Sequence, residues 1–160
     1  MAAEIKEGSM RVLLLMVVAV FVLGLSPVRA VEEEQYKPSD LDQLLATPKI
    51  KSGVKLVVPQ KLRFRAVLAA PLQNCNADIL KRTLLMQGNK KEAIDKLAIS
   101  KCQALRSAKG ATLGVFVEDR VGERLIAETK PGMVVEIYAT FPYISPAGPT
   151  LLVNEFKTLK

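Results

Sequence analysis

LRFRAVLAA, residues 62–70, alternates. Leu62, Phe64, Ala66 and Leu68 interleave with Arg63, Arg65 and Val67, the period of two that gives a strand one buried face and one wet face. Pro71 closes the run, because proline cannot donate to a strand ladder. Just upstream, VKLVV (residues 54–58) is rich in β-branched side chains and stops at Pro59. The ordered domain is expected to begin there, near Val54.

Downstream the same signature returns in the last third. ATLGVFVED (111–119), ERLIAET (123–129), MVVEIYATF (133–141) and TLLVNEF (150–156) read as short strands. Val121-Gly122 and Pro131-Gly132 stand at the turns between them, and each connection is too brief for a parallel crossover, so the pattern predicts an antiparallel meander. Glu136 falls on the face opposite Val135, Ile137 and Ala139 and is expected in solvent. PYISPAGP (142–149) is expected as an exposed loop.

Between the two β regions the spacing becomes helical. Ile79, Leu80, Leu84 and Leu85 share a stripe; Gly88 and Asn89 interrupt it; Ile94, Leu97, Ala98, Lys101 and Leu105 then recur at three- and four-residue steps, with Cys102 beside them. The expected fold class is therefore mainly β with a helical insertion (α+β). It is a small antiparallel barrel or curled sheet over residues 54–160, with helices at 76–108 between the first and second long strands.

Ahead of this domain lie two further segments. Residues 31–53 carry an acidic run, two prolines and a closing Ser-Gly, which predicts a flexible tether with at most a helical turn or two capped by Ser39 or Asp40. Residues 12–25, VLLLMVVAVFVLGL, hold no charge; Arg11 precedes them, and Val28 and Ala30 supply small residues for a cut before Val31. This is the pattern of a signal peptide over residues 1–30. The alternative is an uncleaved anchor, against which the run falls short of the roughly 20 apolar residues that a spanning helix needs. The expected location is exported, periplasmic or secreted, with no transmembrane span after cleavage.

Charge and cysteine usage fit that location. The chain has 23 Lys and Arg against 16 Asp and Glu. Removing residues 1–30 takes away Lys6, Arg11, Arg29, Glu4 and Glu7, leaving 20 against 14 and a net charge of +6. Such a balance suits anionic partners and is equally an ordinary device for solubility. Cys75 and Cys102 are the two cysteines; in an oxidising compartment an even number points to a bridge. Their wide separation favours a structural staple over a redox pair, which is normally close in sequence.

The segment KPGMVVEIYATFPYISPAGPTLLVNEF (130–156) resembles the last two strands of an OB-fold. LRFRAVLAA is similar to that family's opening strand, and residues 111–129 to its second and third. The resemblance implies a small barrel whose mouth and loops hold ligands. It departs from the family in one respect: where a helix usually joins the third and fourth strands, only Lys130, Pro131 and Gly132 stand.

Chemistry is limited by what the chain lacks. There is no histidine, so neither Ser-His-Asp nor Cys-His arrangements can be built. Glu92, Asp95, Glu118, Asp119, Glu123 and Glu155 sit beside lysines or at turns rather than as catalytic pairs. No glycine-rich loop precedes a helix. The expectation is no enzyme, no cofactor and no metal. Nucleic-acid sites interleave exposed aromatics with cations; here Phe64 falls on the buried face, and Tyr143 is the one aromatic expected outside, which disfavours nucleic acid. The functional expectation is a non-catalytic exported binding or adaptor domain for an anionic ligand or a protein partner in the cell envelope. Arg63, Arg65, Arg120, Arg124 and Tyr143 are the candidate contacts at the mouth. The rival is a structural envelope protein, tethered by residues 31–53 to a larger complex and without a small-ligand site.

Overall fold

The alternation in residues 62–68 is realised. Leu62, Phe64, Ala66 and Leu68 are buried, Arg63 and Val67 partly covered and Arg65 exposed. They lie in β2 (Lys55–Leu68), a single strand of 14 residues. The computed structural model describes residues 33–159, so the expected signal peptide lies outside the described residues. Among the described residues no helix is long and apolar enough to cross a membrane.

Pro59 does not end β2. Leu56 faces Tyr143 and Gln60 faces Phe141 on the partner strand, so Val57, Val58 and Pro59 stand opposite Pro142 alone. A bulge of this kind removes residues from the ladder, which is where a strand tolerates proline.

Among the described residues the architecture is a mixed sheet of seven strands with four α-helices and a 3-10 turn at Glu33–Gln35. Besides β2, the strands are β1 (Lys37–Pro38), β3 (Gln73–Asn74), β4 (Lys101–Arg106), β5 (Thr112–Val117), β6 (Val134–Ser145) and β7 (Gly148–Thr158). Their order is β1-β2-β6-β7-β5-β4-β3, and β4 also pairs with β2. The pairings thus run from β2 through β6, β7, β5 and β4 back to β2. Most are antiparallel, but β5 runs parallel to β7, and β1 parallel to β2. The expected all-antiparallel sheet is corrected by these two pairs. A helix and the whole of β6 intervene between β5 and β7, enough chain for a parallel return.

That helix is the second correction. Residues 119–128 form α4 (Asp119–Glu128) where a turn and a strand were expected; α1 to α3 are Leu41–Leu45, Asp78–Met86 and Lys91–Asp95. Val121, Gly122 and Leu125 are buried, a stripe at steps of one and four that belongs to a helix. Gly122 is not a turn residue. A Cβ there would meet the Leu72 side chain at 3.0 Å, so the missing side chain lets α4 sit close.

Three further expectations change. The helical reading of residues 90–107 holds only for α3; Lys101–Arg106 is β4, with Gln103 and Leu105 buried in alternation. Hydrogen bonding to β3 and β5 on its two sides overrides a helical spacing that is only approximate. The insertion between β2 and β4 therefore holds α2 and α3, with β3 ahead of them. The loop expected at 142–149 is mostly strand. β6 runs to Ser145 and β7 starts at Gly148, leaving Pro146 and Ala147 as the turn. Gly148 has φ 121°, a conformation that glycine adopts without strain.

The expected tether is docked rather than loose from Glu33 to Leu45. Asp40 caps α1 by accepting from the Asp42 N–H at 2.8 Å. Leu41 and Leu44, three apart, are buried in the main core with Phe64, Ile137 and Leu151. A second cluster joins α2 and α3 to Tyr143 and Leu152, with Phe116 against it. Cys75 and Cys102 are bonded, with Cα atoms 5.8 Å apart, and tie the chain leading into α2 to β4.

Candidate functional site

β2, β6 and β7 set two rows of side chains on the outer face of the sheet. Arg63 stands opposite Tyr138, and Tyr138 opposite Glu155. The next row is Arg65, Glu136 and Lys157. Residues two apart on a strand share a face, so both rows project from one side.

The N-terminal segment closes over the first row. Tyr36 meets Tyr138 edge-on, with centroids 5.3 Å apart, the geometry that ring quadrupoles favour. Glu33 pairs with Arg63 at 3.6 Å and with Lys157. Lys61 lies 5.6 Å from the Tyr36 centroid and donates to Gln35 Oε1 at 2.6 Å. Tyr138 is fully buried and donates to Glu136 at 2.8 Å. Burial first, then that hydrogen bond, push its phenol up to about 12. Burial and the charge of Glu118 raise Tyr36 as well.

Arg120 and Arg124 reach the same row from α4. They do not flank a hairpin, as expected from sequence; they lie one helical turn apart. Arg120 donates to Glu118 at 2.9 Å and to the Asn154 carbonyl at 2.8 Å, and its other nitrogen lies 3.8 Å from Glu155. Arg124 donates to Glu128 at 2.9 Å and to Glu155 at 2.5 Å, with its guanidinium 4.9 Å over Phe156. Six ion pairs thus join four cations (Arg63, Arg120, Arg124, Lys157) to four carboxylates (Glu33, Glu118, Glu128, Glu155). An anion entering here would have to displace a carboxylate from each arginine. Arg63 and Arg65 also border an open groove of about 450 Å³, but Asp40 and Glu136 line it too.

Tyr143, expected in an exposed loop, is buried at 3% exposure under α2 and α3. The reason is the continuing ladder, in which Tyr143 faces Thr150. It offers no ring to a ligand. Among the described residues no group of three or more Cys, Asp or Glu side chains is placed to hold a metal ion.

A different set of cations is open. Residues 43–77 contain no Asp or Glu and six Lys or Arg. Of these, Lys49, Lys51 and Lys55 lie at the entry to β2. They are exposed and, with Lys90 ahead of α3, enter no ion pair among the described residues. Lys55 faces Ile144 at the far end of β6, and the Lys49 side chain lies near Gly148, so both sit where β6 turns into β7. Gln87, at the end of α2, donates its amide to the carbonyls of Val57 (3.1 Å) and Pro142 (2.7 Å). That clamp brings α2, with Lys90 just beyond it, to the bulge of β2. This cluster escaped the reading of the sequence, although the acid-free run was the signal that could have found it. No known family model matches the chain, and no curated protein matches it in sequence.

Proposed function

We propose that this chain is an exported, non-catalytic binding domain, built as an OB-like barrel, for an anionic partner in the cell envelope. The barrel reading is supported by the pairings that return to β2, with β5 and β7 as the parallel closing pair. It is supported too by α4, which stands between the third and fourth of the five long strands, where the family's helix belongs. OB-folds use the face of their second and third strands for oligonucleotides and oligosaccharides. Here those strands are β4 and β5, and α2 and α3 pack against Phe116 of β5 and against Leu152 and Tyr143 beside it. That favours a partner held elsewhere and disfavours nucleic acid.

The observation that carries the reading is the contrast between the two sets of cations. Arg63, Arg120 and Arg124 are paired with carboxylates and Arg65 stands beside Glu136 in the next row, whereas Lys49, Lys51, Lys55 and Lys90 are exposed and enter no ion pair among the described residues. Unpaired exposed cations leave a positive potential that attracts anions and is screened by salt. The docking of residues 33–45 weighs against the rival, a structural protein tethered through residues 31–53. The test is retention on immobilised dextran sulfate. Replacing the four lysines by glutamine should abolish it at low salt without lowering the melting temperature. Unchanged retention would refute this location for the site.

A further inference from the structure

We propose that the lysine-bearing end of the domain seats on an anionic phospholipid surface, with Val58 and Met86 entering the headgroup layer. The inference rests on the anionic-partner reading and names its partner. It starts from the most exposed apolar side chains. Val58 is 82% exposed and Met86 71%, with Leu56 at 40% beside them on β2. The Gln87 amide bonds to Val57 O and Pro142 O, so the backbone next to Val58 is brought to the end of the helix that carries Met86. The bulge lifts Val58 out of the ladder, and the clamp holds the bulge in place. The result is two exposed apolar side chains carried on adjoining segments.

Lys55 lies on the same strand three residues before Val58, Lys49 and Lys51 lead into that strand, and Lys90 follows Met86 by four residues. Glu92 and Asp95 lie on α3 just beyond Lys90, and Asp95 is already paired with Lys91. Exposed apolar side chains with unpaired lysines on the same and adjoining segments match the layered chemistry of a bilayer, in which anionic headgroups overlie acyl chains. Two other occupants fit less well. Neither a second copy nor an extended peptide readily adds to residues 55–60, because a bulge, Pro59 and the flanking lysines are the devices that block strand addition. A second copy would also bring eight lysines together. A protein partner would need a cavity for Val58 and Met86, and charge alone would not call for them.

The experiment uses vesicles of mixed phosphatidylglycerol and phosphatidylcholine, vesicles of phosphatidylcholine alone, and soluble dextran sulfate. The chain contains no tryptophan, so Val58→Trp supplies a single reporter, with Lys109→Trp as the control. The protein is expected to sediment with the mixed vesicles and not with the neutral ones. Val58→Trp emission should shift to the blue on the mixed vesicles, and Lys109→Trp emission should not. Each lysine facing an anionic leaflet strengthens binding on the order of fivefold. Changing all four to glutamine should therefore weaken vesicle binding roughly a hundredfold or more. Val58→Thr with Met86→Gln, which nearly keep shape, should weaken vesicle binding roughly tenfold while leaving dextran sulfate binding unchanged. Retention on dextran sulfate without vesicle binding, or vesicle binding with no blue shift, overturns the lipid inference and leaves the anionic-partner reading standing. Binding to neither overturns both.

Discussion

Leu41→Ala tests the docking of residues 33–45 most sharply. Leu41 is 1% exposed, and α1, which carries it, packs on β2 and β7. The substitution removes three carbons, about 2.4 kcal/mol at 0.8 kcal/mol per buried methylene. A partly collapsed cavity raises the cost to about 3 kcal/mol. For a domain of this size that is a fall in melting temperature of about 10 °C. A five-residue helix has no stability of its own, so the loosened segment should also open the chain just beyond it to trypsin at Lys49. Thermal denaturation and timed trypsin digestion read both effects, and Gln43→Ala, on the exposed side of α1, should stay within about 0.5 kcal/mol of wild type. A Leu41→Ala protein that melts within 2 °C of wild type, by roughly the same conversion, and resists trypsin equally, would refute the docking.

Three other outcomes follow from the same geometry. Replacing Cys75 and Cys102 by serine opens a loop with a sequence separation of 27, costing about 3.5 kcal/mol in the chain-entropy relation; a midpoint in urea that does not move would contradict the staple. Tyr138 titrates higher folded than unfolded, so its contribution is complete below about pH 10 and drains away as pH rises toward about 12. Tyr138→Phe should therefore flatten the fall of stability in that window, and an unchanged alkaline limb would show that this phenol does not govern it. Gln87→Ala removes both bonds that clamp the bulge and should cost about 1–2 kcal/mol, with faster amide exchange at Val57 and Val58; protection equal to wild type would mean the bulge is held by something else.

What the sequence made legible follows from how local each cause is. The strand at residues 62–68 could be read because its period and its burial coincide. The helix at 119–128 was hidden by Ile126, an apolar residue left 66% exposed, which turned Leu125, Ile126 and Ala127 into an apparent strand run. The stripe that mattered, Val121 with Leu125, crossed a Val-Gly pair that looked like a turn. β4 was obscured because its pairing partners, β3, β5 and the end of β2, lie elsewhere in the chain. At the arginines the difficulty was greater. Their charges are visible in sequence, and Glu118 and Glu128 lie two and four residues from Arg120 and Arg124, but Glu33 and Glu155 come from distant segments that only the fold places together. The open lysines needed no such assembly, because an acid-free stretch leaves its cations without near partners.

The location of the site is the central claim, and a nuclear magnetic resonance titration tests it directly. Soluble dextran sulfate is added to the uniformly nitrogen-15-labelled domain at low salt, and backbone amide shifts are followed residue by residue. The account predicts that Lys49, Lys51, Lys55, Val58, Met86 and Lys90 move together and that added salt reverses the change. Shifts confined to Arg63, Arg65, Arg120 and Arg124 would contradict it, and would return the site to the arginine face.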